Sequence, residues 1–180
     1  GNYIFAGTRD GGGVFRTTNY GNNWNTVNNG LIFTNEMKVC SKDSSLFAGN
    51  TTSGGVFIST NKGGNWVTMN DGFDTIPGIA ILYVSNDYLF AGTTKGVWRF
   101  NLSPSIGGWV QKSSGLPANL VIANFVASGT NLFVGTNNGV YLSTNNGDNW
   151  IPYSNGLPNL ITELEVIGNN LFAGSISFAP

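Results

Sequence analysis

The chain has 180 residues, of which 41% are hydrophobic and 13% aromatic, enough to bury one substantial core. Only 9% are charged and the formal net charge is -1. The chain therefore lacks the concentrated basic surface that binding to nucleic acid requires. With no histidine and a single cysteine, Cys40, the sequence excludes an internal disulfide and the usual His/Cys zinc site. Cys40 lies in an apolar stretch and is interpreted as a small buried hydrophobe.

Two sequence markers recur along the chain at nearly constant spacing. A Phe-Ala-Gly or Phe-Val-Gly marker begins at Phe5, Phe47, Phe90, Phe133 and Phe172, and a Trp marker lies at Trp24, Trp66, Trp109 and Trp150. The steps are 42, 43, 43 and 39 residues for the first marker and 42, 43 and 41 for the second. Because two independent markers share one spacing, the sequence predicts a structural repeat of about 42 residues.

Each repeat is predicted to hold four short strands, named a to d. Strand b contains the Phe-Ala-Gly marker, as at 132–136, and strand c follows after a Gly-rich turn. Strand d is predicted to begin at the Trp, and strand a closes the cycle. The predicted strands c cover 14–15, 56–58, 97–98 and 140–142, and the predicted strands a cover 36–40, 79–85, 121–127 and 161–167.

These strands predict an all-β fold, because apolar runs bounded by Gly, Asn, Ser and Pro show no helical period. We predict a β-propeller of four-stranded antiparallel blades, with four blades plus part of a fifth. A sandwich gives no reason for a fixed period, and a solenoid repeats at shorter periods. The whole chain, 1–180, is interpreted as one domain or propeller fragment, with repeats at approximately 3–45, 46–88, 89–131 and 132–170 and a partial repeat at 171–180.

The chain begins in a strand b and ends just after another strand b. The strand count is therefore compatible with two ways of completing the propeller ring. The strand a at 161–167 can complete the first b-c-d set and close a four-bladed ring. Alternatively, it begins a fifth blade that lacks strands c and d. Such an open strand edge invites pairing with another chain. We expect the chain to be part of a longer protein, which an intact mass well above 19.1 kDa would show.

A polar turn motif, Ser/Thr-x-Asn-x-Gly-x-x-Trp, joins strands c and d in three repeats. Its residues are Thr17, Asn19, Gly21 and Trp24, then Ser59, Asn61, Gly63 and Trp66, and finally Ser143, Asn145, Gly147 and Trp150. We predict a structural role in which the Asn side chain accepts backbone N–H groups two or three residues on, the Gly adopts a left-handed conformation and the Trp packs over its hairpin. In the third repeat, Leu102, Pro104 and Ile106 occupy the Ser, Asn and Gly positions, so that turn must differ.

The motif resembles the Asp-box, or BNR repeat, which reads Ser-x-Asp-x-Gly-x-x-Trp and is found in sialidases, sortilin-like receptors, xyloglucan-active glycosidases and photosystem-assembly-factor-like propellers. This chain has Asn at the Asp position in all three intact copies. The resemblance covers nearly the whole chain and implies the propeller fold rather than one activity. Phrases such as Gly-Gly-Val-Phe also look like those of repetitive secreted proteins from Bacteroidetes-type bacteria, which implies an extracellular or cell-surface location.

A sialidase would need three converging arginines. The chain has Arg9, Arg16 and Arg99. Arg16 and Arg99 lie on strand c, away from the predicted propeller axis, so we expect no convergence.

A glycosidase would need two carboxylates in one cleft. The catalytic candidates under this alternative are Glu36, Glu163 and Glu165, all on strand a beside the predicted channel. We align the four strands a on their valines, Val39, Val84, Val126 and Val166. This alignment makes Lys38, Tyr83, Phe125 and Glu165 equivalent to one another. It also makes Glu36 and Glu163 equivalent to each other, two residues earlier in the strand. The charges are interpreted either as an ion pair or solvated groups at the channel mouth, or as a catalytic carboxylate pair.

The first functional hypothesis is a non-enzymatic extracellular module for binding or structural assembly, which contacts a protein or glycan through its loops. Self-association through the incomplete terminal blade is a further expectation. The alternative is a fragment of a xyloglucan-active glycoside-hydrolase propeller. No cofactor, metal or nucleic acid is expected. The longest apolar run, 79–84, is too short to cross a bilayer, so no membrane insertion is expected.

Overall fold

The computed structural model describes residues 3–103 and 107–176, and within these ranges the chain forms 17 β-strands and no helix. Sheet 1 contains β1 (Ile4–Gly7), β2 (Val14–Thr17) and β3 (Asn25–Thr26). Sheet 2 contains β4 (Met37–Lys42), β5 (Ser45–Asn50), β6 (Val56–Ser59) and β7 (Val67–Thr68). Sheet 3 contains β8 (Ile79–Ser85), β9 (Tyr88–Thr93), β10 (Gly96–Asn101) and β11 (Val110–Gln111). Sheet 4 contains β12 (Ile122–Ser128), β13 (Asn131–Thr136), β14 (Gly139–Ser143) and β15 (Ile151–Pro152), and sheet 5 contains β16 (Ile161–Ile167) and β17 (Asn170–Ser175).

All strand pairs are antiparallel, and sheets 2, 3 and 4 have the predicted order a-b-c-d. The all-β prediction and the four-stranded antiparallel unit are therefore confirmed. Strand d differs from its prediction, because it begins one residue after the Trp and is two residues long. Within the described residues, no helix is long and apolar enough to cross a membrane.

The sheets stack face to face in chain order, and the core consists of the layers between them. Strand b shows how alternation produces these layers, since neighbouring side chains of a strand point to opposite faces. In β9, Leu89 and Ala91 pack in the layer shared with sheet 2, whereas Phe90 packs in the layer shared with sheet 4. Each internal sheet is thus apolar on both faces.

The glycine of the Phe-Ala-Gly marker lets strand a of the next sheet approach closely. A Cβ on Gly49 would lie 2.6 Å from Ile79 Cγ2, and a Cβ on Gly92 would lie 2.5 Å from Ile122 Cγ2. A side chain at these positions would therefore force neighbouring sheets apart. In sheet 5, the atom nearest to a Cβ on Gly174 would be Glu163 Cβ at 3.5 Å, and Glu163 belongs to sheet 5 itself.

The terminal sheets show which strand pairing is formed. Strand β16 pairs with β17 in the register Leu164 to Ala173, and it does not join sheet 1. The four-bladed arrangement, in which 161–167 completes the first b-c-d set, is therefore not the one formed. Among the described residues, sheet 1 has strands b, c and d, and sheet 5 has strands a and b.

Candidate functional site

The three intact c–d turns share one set of hydrogen bonds. In the last turn, the Ser143 hydroxyl donates to Asn145 Oδ1 at 2.9 Å and accepts from the Gly147 N–H at 2.8 Å. Asn145 Oδ1 also accepts from the Asn149 N–H at 3.0 Å. The two earlier turns repeat these three bonds. The asparagine therefore accepts a backbone N–H as predicted, but that N–H lies four residues on rather than two or three.

Only the oxygen of the asparagine amide takes part in these bonds. An aspartate would offer the same acceptor, so asparagine preserves the turn and leaves this edge of the sheet without an added charge. The next two residues both have positive φ, as at Lys62 (61°) and Gly63 (79°). The motif is thus a device for reversing the chain between strands c and d.

The Trp at the end of each turn ties its sheet to the preceding sheet in chain order. The indole Nε1 of Trp66 donates to the Val27 carbonyl at 2.7 Å, and that of Trp150 donates to the Lys112 carbonyl at 2.8 Å. The backbone N–H of Trp150 also donates to the Ser114 carbonyl at 2.9 Å. We call this pair of bonds the tryptophan clamp. The Trp150 ring lies beside its own turn, where a Cβ on Gly147 would be 3.5 Å from Trp150 Cζ2, and it also packs in the layer between two sheets, a contact that the sequence did not predict.

Sheet 3 keeps the tryptophan clamp although its turn lacks the motif. Trp109 donates through Nε1 to the Met69 carbonyl and through its backbone N–H to the Asp71 carbonyl, both at 2.7 Å. Leu102, at the Ser position, packs against the core between sheets 2 and 3. Pro104 and Ile106 lie outside the described residues.

The three arginines do not converge. Arg16 donates to the Lys62 carbonyl at 2.9 Å, and Arg99 donates to the Asn146 carbonyl at 2.6 Å. Each of these two arginines thus binds the c–d turn of the following sheet. Arg9 lies elsewhere and pairs with Glu36 at 3.2 Å.

Strand a has a different register from the one predicted from the valines. Residues opposite the marker glycine are Lys38, Ile81, Asn124 and Glu163, and residues opposite the marker phenylalanine are Cys40, Tyr83, Val126 and Glu165. Tyr83 and Glu165 are equivalent as predicted, but Lys38 is equivalent to Glu163, and Phe125 is equivalent to neither set. The valines mislead because strand a is apolar on both faces, so Val39 lies opposite Ala48 whereas Val84 lies opposite Leu89.

Glu36 lies at the start of sheet 2, in a shallow cavity of about 220 Å³ that Thr8, Arg9 and Lys38 also line. Its carboxylate accepts hydrogen bonds from the Thr51 hydroxyl and from Arg9 Nε. The Thr51 hydroxyl, together with Arg9, holds the pKa of Glu36 below its usual value. A carboxylate held in this way stays ionised at neutral pH and is a poor proton donor.

Glu163 and Glu165 lie on β16, and sheets 3 and 4 separate them from Glu36. Glu163 accepts a hydrogen bond from Asn124 Nδ2 at 2.7 Å. Burial raises the pKa of Tyr83, and the negative charge of Glu165 raises it further by a smaller amount. The Ala127 N–H, which donates to the Tyr83 hydroxyl at 3.0 Å, lowers the same pKa. Among the described residues, no hydrogen bond or ion pair joins Glu36 to Glu163 or Glu165.

The remaining candidate groups offer little chemistry. Burial raises the pKa of the Cys40 thiol to about 12, so the thiolate that would act as a nucleophile is scarce at neutral pH. Within residues 3–103 and 107–176, no three Cys, Asp or Glu side chains lie close enough together to hold a metal ion.

Exposed apolar side chains occur on internal sheets too, such as Val67 and Val110, but the aromatic marker residues differ in burial between internal and outermost sheets. Trp24 is 40% exposed, whereas Trp66 and Trp109 are each 2% exposed. Phe172 is 52% exposed, whereas Phe90 is fully buried. No local sequence signal marks these two residues, because the residues around Trp24 and Phe172 repeat those around the buried markers. These two surfaces are the strongest candidates for contact with another molecule.

No protein-family model and no curated protein matches the chain. Among solved structures, the extracellular domain of BT4673 from B. thetaiotaomicron is similar with a TM-score of 0.77 and 16% identity, over 97% of this chain and 25% of that chain. An ancestral GH74 enzyme has a TM-score of 0.75 and 18% identity, over 96% of this chain and 27% of that chain. PorZ, a surface component of the type-IX secretion system of Porphyromonas gingivalis, has a TM-score of 0.73 and 12% identity, over 97% of this chain and 29% of that chain. The chain thus has the β-propeller fold and spans about a quarter of the length of these proteins.

Proposed function

We propose that this chain is a non-enzymatic β-propeller module for binding or assembly outside the cell. The observation that carries the proposal is the apolar surface on sheets 1 and 5, where Trp24 and Phe172 are exposed at positions that are buried in the internal sheets. Exposed apolar surface of this kind is typical of sites where another protein surface binds. Self-association through these terminal sheets, and contact with a protein or glycan through the loops, are the corresponding modes of action.

The charged groups support a non-enzymatic role. Glu36 is bound by Arg9 and Thr51, and it is separated from Glu163 and Glu165 by two sheets. The extracellular part of the proposal is supported by two of the similar structures, one an extracellular domain and the other a bacterial surface component.

The second candidate is a glycoside-hydrolase fragment, and one observation favours it. Glu163 and Glu165 are alternate residues of β16, so their side chains leave the same face of the strand at a separation of about 6.6 Å. That spacing along the strand is compatible with the separation of about 6.5–9.5 Å between the carboxyl groups of inverting glycosidases. One of the similar structures is described as a GH74 enzyme.

Two measurements on the full chain separate these candidates. Light scattering after size-exclusion chromatography should give a mass that is a multiple of 19.1 kDa and that falls on dilution. Xyloglucan incubated with the chain should release no new reducing ends. A chain that stays at 19.1 kDa at every concentration and binds no glycan or protein would sink the proposal. Hydrolysis that Glu163→Gln abolishes, and that Asp74→Asn leaves intact, would establish the second candidate.

A further inference from the structure

We infer that sheet 1 of a second copy docks against sheet 4 of this chain and forms a composite sheet, in which β16 of this chain supplies strand a and β1, β2 and β3 of the second copy supply strands b, c and d. The inference rests on the assembly role proposed above and specifies its geometry. The four layers between neighbouring sheets of this chain give the pattern that such a contact must follow.

The tryptophan clamp decides where sheet 1 must sit. Trp66, Trp109 and Trp150 each bind a carbonyl that follows strand d of the preceding sheet. Among the described residues, sheet 5 has no strand d, so it offers no equivalent of that carbonyl. Sheet 4 does have strand d, and its equivalent carbonyl belongs to Tyr153, whose N–H bonds to Val140 as the Val27 N–H bonds to Val14. Trp24 of the second copy therefore fits the Tyr153 carbonyl.

The backbone half of the clamp has a matching acceptor. The Trp66, Trp109 and Trp150 N–H groups bind the carbonyls of Asn29, Asp71 and Ser114, and Asn155 occupies the same place in the repeat. The next residue in each linker is a glycine. A Cβ on Gly115 would lie 2.0 Å from the Trp150 carbonyl oxygen, whereas a Cβ on Gly156 would meet nothing within 4 Å. The Gly156 position is thus shaped to receive a Trp backbone and does not receive one within the described chain.

Strand b must then be exchanged, and the two strands b are alike. The register of sheet 5 places Glu165 opposite Phe172 and Val166 opposite Leu171. With β1 in place of β17, Phe5 and Ile4 take these positions, and both strands continue with Ala-Gly. Strand β17 pairs only with β16 in the described residues. Strand β1 brings two further strands and Trp24 with it, so the exchange buries more apolar surface.

The charges allow this composite sheet. The positions equivalent to Glu165, which are Cys40, Tyr83 and Val126, are only half-buried beside the strands a of neighbouring sheets. The Glu165 carboxylate therefore keeps contact with solvent after the exchange. Phe5 lies opposite Arg16 of β2. In the composite sheet, Glu165, Phe5 and Arg16 therefore lie side by side on one face, with the Arg16 cation two strands from Glu165.

Disulfide trapping tests the register directly. One chain carries Tyr3→Cys and a second carries Ile167→Cys, because Ile167 pairs with Asn170, whose place Tyr3 takes in the composite sheet. We expect mixed oxidised chains to form a cross-linked dimer of unlike copies. Chains with Tyr3→Cys and Glu163→Cys are the matched control, because these positions are four residues out of register, about 13 Å apart along the strand. A chain with both Tyr3→Cys and Ile167→Cys that cross-links only within itself would overturn the inference.

A second variant keeps the test independent of cysteine chemistry. Gly156→Ala should abolish the assembled species, because the new Cβ would meet the Trp24 backbone of the second copy. Gly129→Ala is its control, since both glycines have positive φ (82° and 60°) and open space around the Cβ position. Both variants should unfold at similar temperatures as monomers. Assembly that survives Gly156→Ala would contradict the composite sheet.

The outcomes separate this inference from the assembly role on which it rests. A chain that is monomeric at all concentrations would contradict the composite sheet and the assembly role, while the glycan and protein binding tests would still decide the binding role. A multimer that forms without the Tyr3–Ile167 cross-link would support the assembly role and contradict the composite sheet. A mass of the denatured, unmixed protein above 19.1 kDa would instead show further covalently linked repeats as the occupant, and it too would contradict the inference.

Discussion

Sheets 2 to 4 and sheets 1 and 5 are built from the same repeat, yet their side chains have different surroundings. Trp150 is 1% exposed in the layer between sheets 3 and 4, whereas Trp24 is 40% exposed on sheet 1. The local sequence around both residues is nearly the same. The difference shows that the repeat forms each hairpin locally, whereas the burial of its large side chains depends on a neighbouring sheet.

The largest expected effect breaks the clamp in an internal sheet. Trp150→Ala removes a buried ring and leaves the Lys112 carbonyl without its indole donor, so we expect the free energy of unfolding to fall by about 3–5 kcal/mol. Trp24→Ala should cost under about 1 kcal/mol in dilute monomer, because its ring is already partly in water. Urea unfolding measures both values. Equal losses would show that Trp24 is as well packed as Trp150.

A smaller effect is expected from a pair of glycines with the same backbone conformation. Gly115→Ala and Gly156→Ala both place alanine at a positive φ, 85° and 82°, so the conformational cost of about 1–2 kcal/mol is common to the two. Only the first also drives a Cβ into the Trp150 carbonyl, which should add about 1–3 kcal/mol. In thermal unfolding of dilute monomers, Gly115→Ala should therefore have a clearly lower unfolding temperature than Gly156→Ala. The reverse order would mean that the linker of sheet 4 is packed in the monomer.

The turn itself should respond in the same way in each of the three sheets that have the intact motif. Asn61→Ala leaves the Asn65 N–H and the Ser59 hydroxyl without their acceptor, which should cost about 1–3 kcal/mol. Asn61→Asp keeps an acceptor oxygen in place and should cost much less. Asn19 makes the same bonds in sheet 1 and should show the same contrast. If Asn61→Asp were as damaging as Asn61→Ala, the amide NH₂ would have a role that the oxygen does not explain.

The sequence predicted those features that a single repeat determines. The strand pattern, the period and the hydrogen-bonding side chains of the c–d turn follow from residues close together in the chain, such as Ser143, Asn145 and Gly147. The register of strand a was missed, because apolar residues on both faces of that strand make valine a poor marker. The site prediction at Glu36, Glu163 and Glu165 remains a prediction.

Contacts between repeats were harder to predict for a physical reason. The acceptor for Trp66 Nε1 is a main-chain carbonyl at Val27, and the partner of Arg99 is a main-chain carbonyl at Asn146. Main-chain carbonyls occur at every residue, so no side-chain pattern marks the ones that are used. The three-dimensional stacking of the sheets selects them, and within residues 3–103 and 107–176 it places no preceding sheet against Trp24.

The smallest expected effect comes from the Asp148 carboxylate, whose ion pairs require a preceding sheet. Asp148 contacts Lys112 at 2.5 Å and Arg99 at 3.1 Å, both on sheet 3 or the linker that follows it. Hydrogen bonding from Lys112, with the nearby charge of Arg99, holds the pKa of Asp148 below its usual value. Sheet 1 has Asn22 at this position and no preceding sheet among the described residues.

Because the folded-state pKa of Asp148 is lowered, its stabilising contribution is fully present above the unfolded-state pKa, near 4, and is lost as the pH falls through the lower folded value. Asp148→Asn should therefore lower the free energy of unfolding by under about 1 kcal/mol at pH 7, since the carboxylate is half-exposed, and by nothing measurable near pH 2. Salt should shrink the difference at pH 7. Asp74→Asn, which removes an exposed loop carboxylate, is the control and should change stability little at either pH. A difference for Asp148→Asn that persists unchanged at pH 2 would assign the effect to packing in the turn rather than to charge.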